Sequence, residues 1–225
     1  MITLALMLAM QPVGGQAQPQ VDTTPAPWPD DEREAGLVDS FSTESSAEAR
    51  LTMTRFADCV AEGSPDKAAE LLQRDFRSAA YRNGLQNLSR NNEGCARKVG
   101  LNGRMRMANL AFAGALAEAL IERRNMPVNA MLARAAAAPA ARTYSFTDGI
   151  AMCLVRSVPD QVASLFASEV GSNEETAAIA ALGVPAQMCA RAAEARKPLS
   201  ISTSGLRAML ATASFRSITG AKDAA

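Results

Sequence analysis

Four cysteines, Cys59, Cys95, Cys153 and Cys189, offer this chain its most definite chemistry. Four cysteines allow three disulfide connectivities. The alternatives are four buried thiols in a reducing compartment, a zinc site or a redox centre. A zinc site draws on close C-x₂₋₄-C pairs and a redox centre on C-x-x-C, and the sequence has neither. The chain also contains no histidine. That excludes a Ser–His–Asp triad, a Cys–His dyad and any imidazole metal site. No metal ion or cofactor is expected.

Three weaker candidates remain. Ser64-Pro65-Asp66-Lys67 matches the bare S-x-x-K of penicillin-recognising enzymes, but the S-D-N and K-T-G that must accompany it are missing. Ser64 is better read as a helix cap. Glu118 lies in an otherwise apolar stretch, where burial would raise its pKa as a general acid requires. No second carboxylate is nominated for it, so a carboxylate-dependent hydrolase is the least favoured reading and no catalytic residue is assigned. Asp66 and Arg97 recur as Asp160 and Arg191 at the same spacing, as a repeated ion pair or as independent helix-end charges. No phosphate-binding loop or dinucleotide fingerprint occurs. Seven Phe, two Tyr and one Trp leave few rings for stacking, so nucleic acid is not an expected partner.

The elements that position these residues are repeated. Cys59 and Cys95 are 36 residues apart, as are Cys153 and Cys189, and a shift of 94 superposes the pairs without a gap. The same shift carries Pro65-Asp66 onto Pro159-Asp160, Leu71 onto Leu165, Leu88 onto Leu182 and Leu116-Ala117 onto Leu210-Ala211. It also carries Cys95-Ala96-Arg97 onto Cys189-Ala190-Arg191. This is an internal duplication. One bridge per unit, Cys59–Cys95 and Cys153–Cys189, is then the simplest connectivity, since a single ancestral unit could form it alone. The units are expected at 46–124 and 143–219, joined by a connector at 125–142 and followed by a tail at 220–225.

Helical periodicity dominates each unit. Ser45-x-x-Glu48 reads as a capping box. Ala49, Met53, Phe56, Ala57 and Val60 then form one apolar stripe ended by Gly63. Ser64 and Pro65 open a second helix carrying Ala68, Leu72 and Phe76. A third carries Tyr81, Leu85 and Leu88. A fourth, from about Ala108 to Arg123, is apolar nearly all round. Its Ala113, Gly114 and Ala117 allow a neighbouring backbone to come close, as at the centre of a bundle. In the connector, a short Ala-rich helix is expected from Pro127 to just before Pro139. Arg104–Met107 and Pro198–Ile201 alternate with period 2, as a helix entrance or as two short strands paired across a pseudo-twofold axis. The expected fold is all-α: two tandem helical units in a pseudo-twofold bundle, meeting through Ala108–Arg123 and Ser202–Arg216, each pinned by a disulfide.

Ile2–Met10 is an apolar run followed by Gly15-Gln16-Ala17, the pattern of a signal peptide (1–17) cleaved after Ala17, although no Lys or Arg precedes it. Residues 18–45 read as an acidic, proline-containing leader. No later stretch is long and apolar enough to span a membrane. Arg outnumbers Lys 19 to 4, a bias of G+C-rich bacterial coding. With an even cysteine count this points to a periplasmic or secreted protein. Net charge is zero but uneven: residues 18–49 carry −7 and residues 50–142 carry +7. The leader could therefore cover the basic first unit, notably Arg97, Lys98, Arg104 and Arg106. The primary functional expectation is a non-enzymatic interaction module that binds a protein or cell-envelope component. The alternative is a binder of a small apolar ligand, held between the units by Met105, Met107, Met131 and Met209.

Overall fold

The structure, a computed structural model, describes residues 45–100, 109–195 and 201–223. Among them are ten helices and no strand. In chain order they are α1 (Ala47–Gly63), α2 (Pro65–Leu72), α3 (Ala79–Asn91), α4 (Glu93–Lys98), α5 (Asn109–Glu122), α6 (Val128–Ala137), α7 (Phe146–Ser157), α8 (Pro159–Ala167), α9 (Asn173–Ala192) and α10 (Thr203–Asp223). The fold is all-α, as expected. The signal peptide, the leader and the possible strand pair lie outside the described residues, Ser45 and Ile201 apart, neither of which is in a helix or strand.

The duplication is visible in where the helices begin. α2, α3 and α5 start at Pro65, Ala79 and Asn109; α8, α9 and α10 start at Pro159, Asn173 and Thr203, each 94 residues on. The local causes are shared. Pro at the first turn opens α2 and α8. Ser78 Oγ accepts the Tyr81 N–H to cap α3, and the corresponding Ser172 Oγ accepts the Glu175 N–H to cap α9. One cap differs from expectation: α1 is capped by Ser46, whose Oγ accepts from Ala49 N, and not by Ser45. Ser64 stands at the N-cap of α2 but makes no cap bond; its hydroxyl turns to Asn92 instead.

Packing inside the units matches as well: α1 lies on α5 as α7 lies on α10, and α2 on α3 as α8 on α9. Disulfides Cys59–Cys95 and Cys153–Cys189 tie α1 to α4 and α7 to α9, with Cα atoms 5.6 and 5.8 Å apart. Each closes a 36-residue separation, worth about 3–4 kcal/mol in the chain-entropy picture. Two disulfides point to an oxidising, extracytoplasmic environment. Among the described residues no single helix is long and apolar enough to cross a membrane. The pair α7–α8 passes by length and composition only; it is bent by 98°, and most of its apolar residues are buried in the core. The connector helix α6 also joins the core through Met131, Leu132 and Ala135, and Arg156 donates to the carbonyls of Ala135 and Ala136 at its C-terminus.

The units meet at the crossing of α5 and α10, the most extensive helix–helix contact among the described residues. A Cβ on Gly114 would stand 2.5 Å from Ala208 Cα, closer than real contacts allow. Residues 114 and 208 are themselves 94 apart. In a pseudo-twofold bundle equivalent positions of the two copies meet where the axis passes, and this crossing is that place. Within the first unit Phe56 of α1 meets Phe112 of α5 with tilted rings, their centres 5.4 Å apart. Gly114→Ala is expected to cost about 1–3 kcal/mol in urea unfolding, because backbone must move. Gly94→Ala, also helical but with nothing within 4 Å of the added carbon, should be neutral or gain up to about 1 kcal/mol. Equal responses would contradict the close crossing.

Candidate functional site

The axis at Gly114 and Ala208 generates two grooves between the units, one on each side of the crossing. The first, of about 320 Å³, is walled in part by Met53, Thr54, Ala115, Glu118, Val170 and Ser204. The second, of about 340 Å³, has Thr147, Asp148, Met209, Thr212, Phe76 and Leu110 in the same order. Each residue of one set is 94 positions from its mate in the other. The grooves are therefore two copies of one site, and their differences show what each has become.

The first groove is locked by charge. Arg207, almost fully buried, donates through Nε to Glu118 Oε2 at 3.0 Å and through Nη2 to Glu118 Oε1. Its Nη1 reaches Glu175 Oε1 at 2.9 Å, and Nη1 and Nη2 both reach the Ser168 carbonyl at 3.1 Å. Glu175 also accepts from Arg50 and, at 2.8 Å, from the Gly171 N–H. Gly171 has φ +84°, and a Cβ there would press on Ala47 at 2.8 Å, so this donor position requires glycine. Arg50 and Glu118 come from the first unit, Glu175 and Arg207 from the second. Two carboxylates and two guanidinium groups balance in a buried site.

The two carboxylates diverge. For Glu175 burial opposes ionisation, but hydrogen bonds from Arg50, the Gly171 N–H and Arg207 outweigh it and lower its pKa. Burial raises the Glu118 pKa despite the pull of Arg207, with Glu175 and Asp58 adding repulsion.

The second groove is aromatic and apolar. Tyr81 is the repeat mate of Glu175, and Tyr144 that of Arg50, so both tyrosines of the chain replace members of the ionic cluster. Phe76 meets Tyr144 edge-on at 5.9 Å, and Leu72, Leu110 and Met209 continue the wall. The groove has a buried ion pair of its own: Arg216 binds Asp148, donates to the Arg142 carbonyl at 2.9 Å and lies 5.3 Å from the Tyr144 ring centre. Asp148 Oδ2 also accepts from Tyr144 N at 2.9 Å. Burial pushes the Tyr81 hydroxyl up to about 12, with Arg216 lowering and Asp148 raising it, so it stays protonated.

Several expectations are placed differently. Met209 lines the second groove, but Met131 does not; it is buried in α6, and Met105 and Met107 lie outside the described residues. No ion pair joins Asp66 to Arg97, or Asp160 to Arg191, among the described residues. Lys67 is exposed, and the Ser64 hydroxyl bonds Asn92 rather than Lys67. Glu118 is not a lone buried acid. A third cleft, of about 570 Å³, includes Glu118, Glu122 and Asp160 in its wall. Burial, then Glu118 and Asp58, raise the Glu122 pKa. No group of three metal-ligating side chains occurs among the described residues. Comparison with protein-family models, curated proteins and solved structures finds no match.

The cluster sets a pH dependence. Glu175 titrates below its unfolded value of about 4.3. The stability it supplies is present above that pH and is lost as pH falls through its depressed folded value. Glu118 titrates above its unfolded value, so its ionisation removes stability as pH rises through the raised folded value. At pH 7, Glu175→Gln should cost about 3–5 kcal/mol by denaturant unfolding, because it takes from a buried site the carboxylate that Arg50 and Arg207 share. Glu118→Gln should cost less than about 2 kcal/mol, since Arg207 keeps Glu175. The deficit of Glu175→Gln should shrink in acid below about pH 4. A pH-independent deficit would contradict the assignment.

Proposed function

We propose that this chain is a non-catalytic binding protein that holds a small, neutral, largely apolar molecule in the groove between its units. One observation carries the reading: of two equivalent grooves, one is lined by a buried ionic cluster while its mate has an aromatic and aliphatic wall. Its volume lies near the lower end for small-molecule sites. The ligand should be neutral. Asp148 is already paired with Arg216, and Arg74 at the groove with Glu70, which leaves little uncompensated charge to draw an ion. Asn109, Thr147 and Thr212 supply uncharged hydrogen-bonding groups that could orient a polar end. The apolar run at Ile2–Met10 and the two disulfides support a secreted or periplasmic setting in a bacterium. There the ligand would be a lipid-like component of the envelope. Hydrolysis has less support: Glu118, the acid it would need, is held by Arg207.

The test is titration with N-phenyl-1-naphthylamine, a neutral apolar fluorescent probe. Saturable binding is expected. Leu110→Trp, which fills the groove, should weaken it by about tenfold or more. Ala115→Met, which fills the mate groove at the position equivalent to Met209, should leave it unchanged. No saturable binding, or equal loss from both substitutions, would overturn the proposal.

A further inference from the structure

The two units also differ on their outer surface. In α9 the inward face carries Glu175, Leu182, Ala186 and Cys189, all buried. The opposite face carries Ala177, Ala181, Val184 and Met188, all exposed, with Val184 70% and Met188 60% accessible. These last two are the most exposed large hydrophobic residues among those described. The equivalent positions of the first unit are Asn83, Asn87, Arg90 and Gly94, an ordinary solvated surface. Duplication alone therefore does not explain the apolar face.

The spacing specifies the occupant. Glu174, Ala177, Ala181, Val184, Met188 and Arg191 alternate in steps of three and four, the seam of a left-handed helix pair. The seam is self-complementary when reversed. An antiparallel copy centred between Leu182 and Gly183 places Ala181 against Val184, Ala177 against Met188, and Glu174 against Arg191. By symmetry the charge pair forms twice, once at each end. A parallel copy would instead set Glu174 against Glu174 and Arg191 against Arg191. Small residues at the middle allow the two helices to pack closely. Pro185 removes one backbone donor within the helix, leaving the Ala181 carbonyl without its usual partner.

We infer that the partner of this face is a second copy of the chain, joined through α9 in an antiparallel twofold dimer. A seam of one helix, about 30 Å long, buries little area, so the dimer is concentration-dependent. It leaves the inter-unit groove untouched and stands independently of the ligand proposal.

Sedimentation velocity across a micromolar-to-millimolar series provides the test. Wild type should pass from monomer to dimer. Val184→Lys should remain monomeric, with circular dichroism unchanged because the residue faces solvent. Glu174→Arg should weaken association about tenfold or more, by setting Arg against Arg191 at both ends, and adding Arg191→Glu should restore it. A wild-type monomer at every concentration overturns the inference and leaves the face to another segment or protein. A dimer that tolerates Val184→Lys, or that the double reversal fails to rescue, overturns it too.

Discussion

Two helices can touch backbone to backbone only where a side chain is missing, and Gly114 against Ala208 is where this bundle does so. Every larger feature follows from that crossing. Because the residues are equivalent in the two units, the contact fixes a pseudo-twofold axis. The axis fixes which faces of the units meet, and the leftover space falls as one groove on each side. A larger residue at 114 would separate α5 from α10, enlarge both grooves and pull Arg207 away from Glu118. The apolar circumference of α5 has the same origin. It packs on α1 and α2 of its own unit and on α10 across the axis, so almost no face is left for water.

The pseudo-twofold supplies two equivalent grooves with different linings. The first became a fastener. Arg207 is held by groups from both units, so it resists their separation, and it does so with directional bonds that also set their register. Burying such a cluster contributes modestly to net stability, because desolvation offsets most of the attraction. Its larger effect is specificity of assembly: a shifted interface would strand buried charges. In the mate groove the positions equivalent to Glu175, Arg50 and Val170 are Tyr81, Tyr144 and Phe76, and the wall there is largely uncharged.

The architecture was legible in the sequence because its causes are local or repeated. The cysteine spacing, the Pro-Asp pairs and the apolar stripes predicted the helices, the bridges and the central pair. The small residues Ala113, Gly114 and Ala117 together marked a place of close approach, and the contact falls at Gly114. The interior of the grooves was not legible. Arg207 meets Glu118 and Glu175 from 89 and 32 residues away, and no periodicity encodes such partners. One clue existed. Ser78 and Ser172 are identical caps at equivalent positions, and each is followed three residues later by a groove residue, Tyr81 or Glu175. The adjacent serines at 45 and 46 offered the same cap in two registers, and the structure uses Ser46. α9 blurred the second unit because it is apolar on two faces, which flattens the contrast that periodicity reads.

The central claim, two copies of one unit in backbone contact at equivalent residues, is tested most directly by nuclear Overhauser effects in uniformly labelled protein. Strong cross-peaks from the Gly114 Hα protons to Ala208 Hα and its methyl group are the predicted result. An assigned Gly114 with no cross-peak to Ala208, and contacts only within its own unit, would contradict it.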